Sequence, residues 1–158
     1  MVFGTGSESA SAMFIGEAPG EREDALGEPF VGAAGKLLDK YLEYIDVKRE
    51  DIYIANILKC RPPNNRDPFE EEQEACISYL RMQVKIIRPK LLVCLGRIAA
   101  YKIIGKDFKI SRDRGIVIER NGYKIMATYH PAALLHADSK AKAMDVLDDF
   151  KLLKSLIG

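Results

Sequence analysis

Apolar residues along this chain follow two patterns that alternate. Continuous apolar runs occupy residues 12–16, 52–57 and 90–96, two of them closed by a glycine, Gly16 and Gly96. Runs of this length suit strands covered on both faces. Between them apolar residues recur every three or four positions. Leu37, Leu38, Tyr41, Leu42 and Ile45 predict a helix over 36–45, and helices are likewise predicted over 68–87, 97–104 and 140–157. Asp67 ahead of Pro68 predicts the cap of the second of these helices. Residues 115–120 and 123–127 flank Asn121-Gly122, the strongest short hairpin signal. Residues 17–35 and 59–68, rich in Gly, Pro, Asn and charge, read as loops.

Strands alternating with helices imply βαβ units, a mostly parallel sheet and helices on both faces. Ligands of such sheets bind beyond the carboxyl ends of the strands. The loops after Ile15, Ile57, Leu95 and Ala127 therefore share one rim, and they hold the residue types that packing explains least.

The length of 158 residues suits one domain with a core of its own. With 47% hydrophobic and 30% charged residues the chain reads as globular rather than disordered. No apolar run approaches the roughly 20 residues that span a bilayer, and Met1-Val2-Phe3-Gly4 does not open a secretory leader. Three cysteines make no disulfide framework, so a reducing, cytoplasmic setting is expected. A net charge of +1 does not announce a nucleic-acid partner. Lys59, Arg61 and Arg66 form one basic run; Lys102, Lys106, Lys109, Arg112 and Arg114, with Arg97 just outside, form another against Asp107 and Asp113. For each run a solvated face is the more ordinary reading, so charge alone names no ligand.

The rim loops are more specific together than singly. Gly16-Glu17-Ala18-Pro19-Gly20 lets a ligand approach the backbone closely, or merely turns the chain. Phe30, in Pro29-Phe30-Val31-Gly32, can stack on a planar base or fill the core. Asn56, at a strand end, offers a donor and an acceptor that suit the imide edge of a pyrimidine; capping a turn is its other role. His130, fixed by Pro131, can aim its imidazole into the rim, though a lone histidine is more often structural. Leu134 and Leu135 can wedge into a base stack or begin a buried helix face.

In order and spacing these segments resemble the family-4 uracil-DNA glycosylases. The marks are Gly16-Glu17-Ala18-Pro19-Gly20-Glu21, Pro29-Phe30-Val31-Gly32, Asn56, Lys59-Cys60-Arg61-Pro62-Pro63, Asn65-Arg66, Pro89-Lys90, Leu95-Gly96 and Tyr129-His130-Pro131-Ala132. The resemblance runs from Met13 to about Leu153. It implies a three-layer α/β/α sandwich around a four-stranded, mostly parallel sheet, and hydrolysis of the N-glycosidic bond of deoxyuridine in DNA by a cytoplasmic monomer. Carried over residue by residue, it implies that Gly16 and Ala18 line the uracil site and that Glu17 lies by the sugar and water. Phe30 stacks on the base, Asn56 reads its edge, Glu23 crowds the C5 side, and His130 stabilises charge at O2. Arg61, Arg66, Leu134 and Leu135 fall to the DNA.

The resemblance also implies a [4Fe–4S] cluster on four cysteines. Cys60 and Cys76 match one pair of ligands, and no cysteine precedes Met13. Cys94 lies mid-strand and reads as a small buried residue. The expectation is a single domain, 1–158, that begins late and lacks the segment bearing the first cysteine pair; a cluster-free member is the other explanation. Two further readings stay open. One is a non-catalytic protein of this fold that binds uracil-DNA or a nucleobase. The other is a generic nucleotide-binding α/β enzyme, which accounts for the Gly-rich loop but not for the loops at Cys60 and His130.

Overall fold

The computed structural model describes residues 1–135 and 139–158, with every side chain among them except that of Asn65. In chain order the elements are β1 (Thr5–Gly6), β2 (Ala12–Gly16), α1 (Glu21–Leu26), α2 (Ala33–Tyr44), β3 (Tyr53–Asn56), α3 (Glu70–Ile87), β4 (Leu91–Leu95), α4 (Arg97–Ile103), α5 (Ile110–Asp113), β5 (Ile118–Arg120), β6 (Tyr123–Thr128) and α6 (Lys140–Ile157). Single 3-10 turns lie at Arg49–Asp51, Pro63–Asn65 and Pro131–Leu134.

The sheet runs β1-β3-β2-β4-β6-β5. Its inner four strands are parallel, with Phe14 opposite both Ile54 and Val93, and Val93 opposite Met126. These are the four strands expected. The sheet is nevertheless six-stranded, because a short antiparallel strand extends each edge, β1 on β3 and β5 on β6. β1 is only Thr5-Gly6, with no apolar run to betray it. The hairpin forms where Asn121-Gly122 predicts it: both residues have positive φ, 55° and 84°, as the tight turn requires.

Side chains on successive strand positions point to opposite faces, and that alternation builds two cores. Met13, Ile15, Ala55, Leu92, Cys94 and Ala127 pack under α3 and α4 with Ile77, Leu80, Ala99 and Ala100. Ala12, Phe14, Ile54, Val93 and Met126 pack under α2 and α6 with Leu38, Leu42, Phe150 and Leu153. The result is the three-layer sandwich, with every residue of β2, β3 and β4 buried. Among the described residues no helix is long and apolar enough to cross a membrane.

Three local expectations need correction. Residues 17–35 are not all loop: α1 lies within them, and it has no buried residue, hence no apolar stripe to read. Asp67 does not cap α3, which starts at Glu70 behind Phe69. The Phe69 N–H is met instead by Glu72, whose carboxylate also takes both ends of the Arg66 guanidinium, while Asp67 turns away to Arg97 at 2.6 Å. Lys59 is not an exposed member of a basic run. It is fully buried, and its Nζ donates to Gln83 Oε1 (2.7 Å) and to the Phe3 carbonyl (3.0 Å). Burial pulls its pKa down to about 8. Much of the second basic run is also spent within the fold. Lys102 meets Glu70 and Glu74, Arg112 meets Asp113, and Arg114 meets Asp145 and Asp149.

The face under α6 should be the more sensitive to truncation. Phe150 is 1% exposed and its ring lies 5.9 Å from that of Phe14 and 5.3 Å from that of Tyr41. Phe150→Ala is expected to cost about 3–5 kcal/mol in urea unfolding, whereas Tyr44→Ala, at a 54% exposed position, should cost less than about 1 kcal/mol.

Candidate active site

The parallel register sets four chain exits side by side: Gly16 after β2, Asn56 at the end of β3, Gly96 after β4 and Tyr129 after β6. Ala18, Glu23, Phe30, Ala34, Gly35, Asn56 and His130 line a cleft of about 50 Å³ there. Larger hollows exist, such as one of about 460 Å³ between α3, α4 and the β5–β6 hairpin. The small cleft is where an amide, an imidazole, a carboxylate and an aromatic ring converge, and chemistry, not size, decides between them.

Asn56 is the residue most exposed by this geometry to the need for a partner. Strand alternation turns its side chain to the α2 face, where it is 2% exposed. Among the described residues its Oδ1 is the one buried side-chain acceptor without a hydrogen bond. Leaving such an atom unmet costs about 1–3 kcal/mol, so it suits an acceptor kept for a ligand N–H. Gly16 is what allows this. A Cβ there would stand 2.4 Å from Asn56 Oδ1 and 2.7 Å from the Phe30 ring.

Phe30 is buried, and its ring centroid lies 5.4 Å from that of His130. Its backbone sits in the left-handed region at φ 53°, unusual for an aromatic residue and held only by surrounding structure. Arg49 provides the hold. Its guanidinium donates to the Phe30 carbonyl (2.7 Å), to the Pro29 carbonyl and to Asp39 (3.0 Å). Glu23 ties the other side: its carboxylate accepts from the N–H groups of Gly20 (3.0 Å), Val31 (2.9 Å) and Gly32 (2.7 Å). One carboxylate thus joins the start of α1 to the turn that carries Phe30.

His130 follows β6, whose last residue is pinned from behind. Thr128 Oγ1 donates to Asp149 Oδ2 (2.6 Å), and Arg114 donates to Oδ1 of the same buried carboxylate (2.7 Å). The imidazole Nδ1 accepts the Ala132 N–H at 3.0 Å. Its single proton therefore sits on Nε2, leaving that nitrogen as a donor. Removal from water pushes its pKa down to about 4, against a small opposing pull from Glu23. The group is a neutral donor at physiological pH.

Glu17 is half-buried at the rim. Burial raises its pKa first, Asp67 raises it further, and Arg97 lowers it. Leu135 is 53% exposed, while Leu134 is half-buried against the α2 and α6 core. Arg61 is half-buried in the loop after β3, and Arg66 is engaged with Glu72 and lies over the Phe69 ring. Sequence reasoning did not reach Arg49, Thr128 or Asp149, since each acts on a segment distant along the chain.

The uracil-DNA glycosylase superfamily model matches residues 3–153, and the chain belongs to that superfamily. Within it the chain is 50% identical to a type-4 uracil-DNA glycosylase of Archaeoglobus fulgidus, over 98% of this chain and 81% of the relative. It is 44% identical to the type-4 enzyme of Thermotoga maritima, over 99% of this chain and 83% of the relative. A type-5 uracil-DNA glycosylase of Pyrobaculum aerophilum is more distant, at 33% identity over 82% of this chain and 64% of the relative.

The residues present do not fit a four-thiolate cluster. Among the described residues no three His, Cys, Asp or Glu side chains are grouped to hold a metal. Cys60 is exposed and Cys76 half-buried. Cys94 is enclosed in the sheet, and burial pushes its thiol up to about 12, far from a thiolate ligand.

The His130 assignment has a direct test. Proton NMR should show its ring titrating near pH 4 rather than the ordinary 6.5. Between those values the unfolded chain binds a proton that the folded chain refuses, so this residue's contribution weakens folding as pH falls from about 6.5 to 4. A midpoint at or above 6.5 would contradict a desolvated neutral ring.

Proposed function

We propose that this chain hydrolyses the N-glycosidic bond of deoxyuridine in DNA, releasing uracil and leaving an abasic site for base excision repair. The observation that carries the base assignment is the buried, unpartnered Oδ1 of Asn56. Uracil presents an N3–H to such an acceptor and an O4 to the amide's N–H₂. Cytosine has no proton at N3 and an amino group at C4, so both contacts turn repulsive.

The target bond lies inside the stack, so the nucleotide must rotate out, at roughly a few kcal/mol. Leu135, with Leu134 behind it, occupies the space the base leaves, and Arg61 and Arg66 lie on the DNA side. The uracil enters the cleft beside Phe30, whose ring stacks on it, with Ala18 and the Gly16 backbone at its margin. Glu23 stands toward its C5 edge, where a thymine methyl would collide.

As the C1′–N1 bond breaks, the bonding pair stays with the base, and the sugar becomes an oxocarbenium ion. Negative charge spreads onto O2. His130 Nε2–H donates there, and the bond is strongest when the charge is full, which lowers the barrier rather than merely tightening binding. A neutral donor also avoids the cost of holding an imidazolium in a desolvated cleft. Water adds to C1′ from the Glu17 side, and Glu17 orients it and takes up its proton. Cys60 and Cys76 match one ligand pair of the cluster that the family resemblance implies; two thiols fall short of the four thiolates required, and no step of base release passes through them.

Single-turnover release of uracil from an oligonucleotide checks this. His130→Ala and Asn56→Ala should each slow release at least tenfold while melting within a few degrees of the parent. Tight binding of uracil-DNA by the parent without release would instead support a non-catalytic binder.

A further inference from the structure

Glu17 lies between two chain exits that the sheet register places beside it. On the β3 side, the Ile57 N–H donates to the Gly16 carbonyl (2.9 Å) and the Leu58 N–H to the Glu17 carbonyl (3.0 Å). On the β4 side, the last paired residues are Ile15 and Cys94, each two residues before the exits at Glu17 and Gly96. The first exit leads through the loop after β3 to Asp67. The second leads at once to Arg97, the first residue of α4. Arg97 Nη2 and Asp67 Oδ2 meet at 2.6 Å. The loop and the helix that flank the Glu17 exit are thus joined by an ion pair.

Nothing in the packing requires this pair. Its side chains are 50% and 59% exposed, and an exposed pair contributes little to stability, about 0–1 kcal/mol. Asp67 is also not tied to the start of α3, whose N-cap is Phe69. Both members act electrostatically on Glu17, with opposite sign. Tyr101, one turn along α4, faces the same guanidinium. Of the titratable groups lining the adjoining cleft, Glu23 is turned onto three backbone N–H groups and His130 is neutral.

We propose that Asp67 and Arg97 are positioning residues for Glu17: their ion pair bridges the two segments beside it and sets the field in which its carboxylate works. Asp67 raises the proton affinity of the carboxylate, which strengthens it as a base for water, and Arg97 opposes that rise. The proposal rests on the reading of Glu17 given above.

The test is the pH profile of single-turnover uracil release for the parent, Glu17→Gln, Asp67→Asn, Arg97→Gln and Arg97→Lys, with melting temperatures as a control for folding. The parent should show an acid limb from Glu17 above the one near pH 4 from His130. Asp67→Asn should move the upper limb to lower pH, Arg97→Gln should move it to higher pH, and Arg97→Lys should restore it. Both displacements should shrink at high salt, since the pair is exposed. If Glu17→Gln abolishes the upper limb while Asp67→Asn and Arg97→Gln leave it in place, the positioning role is overturned and the Glu17 reading stands. If the limb survives Glu17→Gln unchanged, the Glu17 reading fails and the proposal with it.

Discussion

Parallel strands buried on both faces have only each other for hydrogen-bonding partners, and in this chain that constraint decides which distant residues meet. Pairing β2 with β3 and β4 in one fixed register sets Gly16 level with Asn56, and Ile15 level with Cys94. A slip of one residue would turn every side chain to the opposite layer. Asn56 would then face α3, away from Phe30 and His130. The catalytic geometry is thus a consequence of core packing: Phe14, Ile54 and Val93 lock the strands, and the strands place the rim.

Around that rim, polar groups are held in ways that cost stability or forgo it. Phe30 accepts a left-handed backbone, His130 gives up its charge, and Asn56 leaves an acceptor unmet. The segments that carry them are held by Arg49 on the Pro29 and Phe30 carbonyls, by Glu23 on three N–H groups, and by Asp149 behind Thr128. Such prior arrangement is what allows hydrogen bonds to act on the transition state without reorganising at the moment of reaction.

The inner strands, the long helices and the hairpin were legible because continuous apolar runs, helical spacing and Asn121-Gly122 are local signals. Glu17, Asn56 and His130 were legible as residues of unexpected type at strand ends, and Phe30 as an aromatic in the first rim loop. What was hidden was long-range. Lys59 reads as an exposed cation in the sequence and is a buried donor, because its partners, Phe3 and Gln83, are remote along the chain. Asp67 reads as a cap because only the fold reveals Arg97 beside it. Helix α1 and strand β1 carry no apolar pattern, so period-based reading passes over them. The cysteines mark a limit of another kind: Cys60 and Cys76 resemble one pair of ligands in the sequence, and among the described residues no group of three gathers to hold a metal.

The central claim is that the buried Asn56 acceptor selects uracil through its N3–H. It is tested most directly from the substrate side, by comparing base release from oligonucleotides that carry deoxyuridine or N3-methyldeoxyuridine at one position. The methyl group removes the proton and places carbon against Oδ1 while leaving the scissile bond unchanged. Rapid release of uracil with no detectable release of the methylated base is the predicted result. Comparable rates for the two would contradict the account.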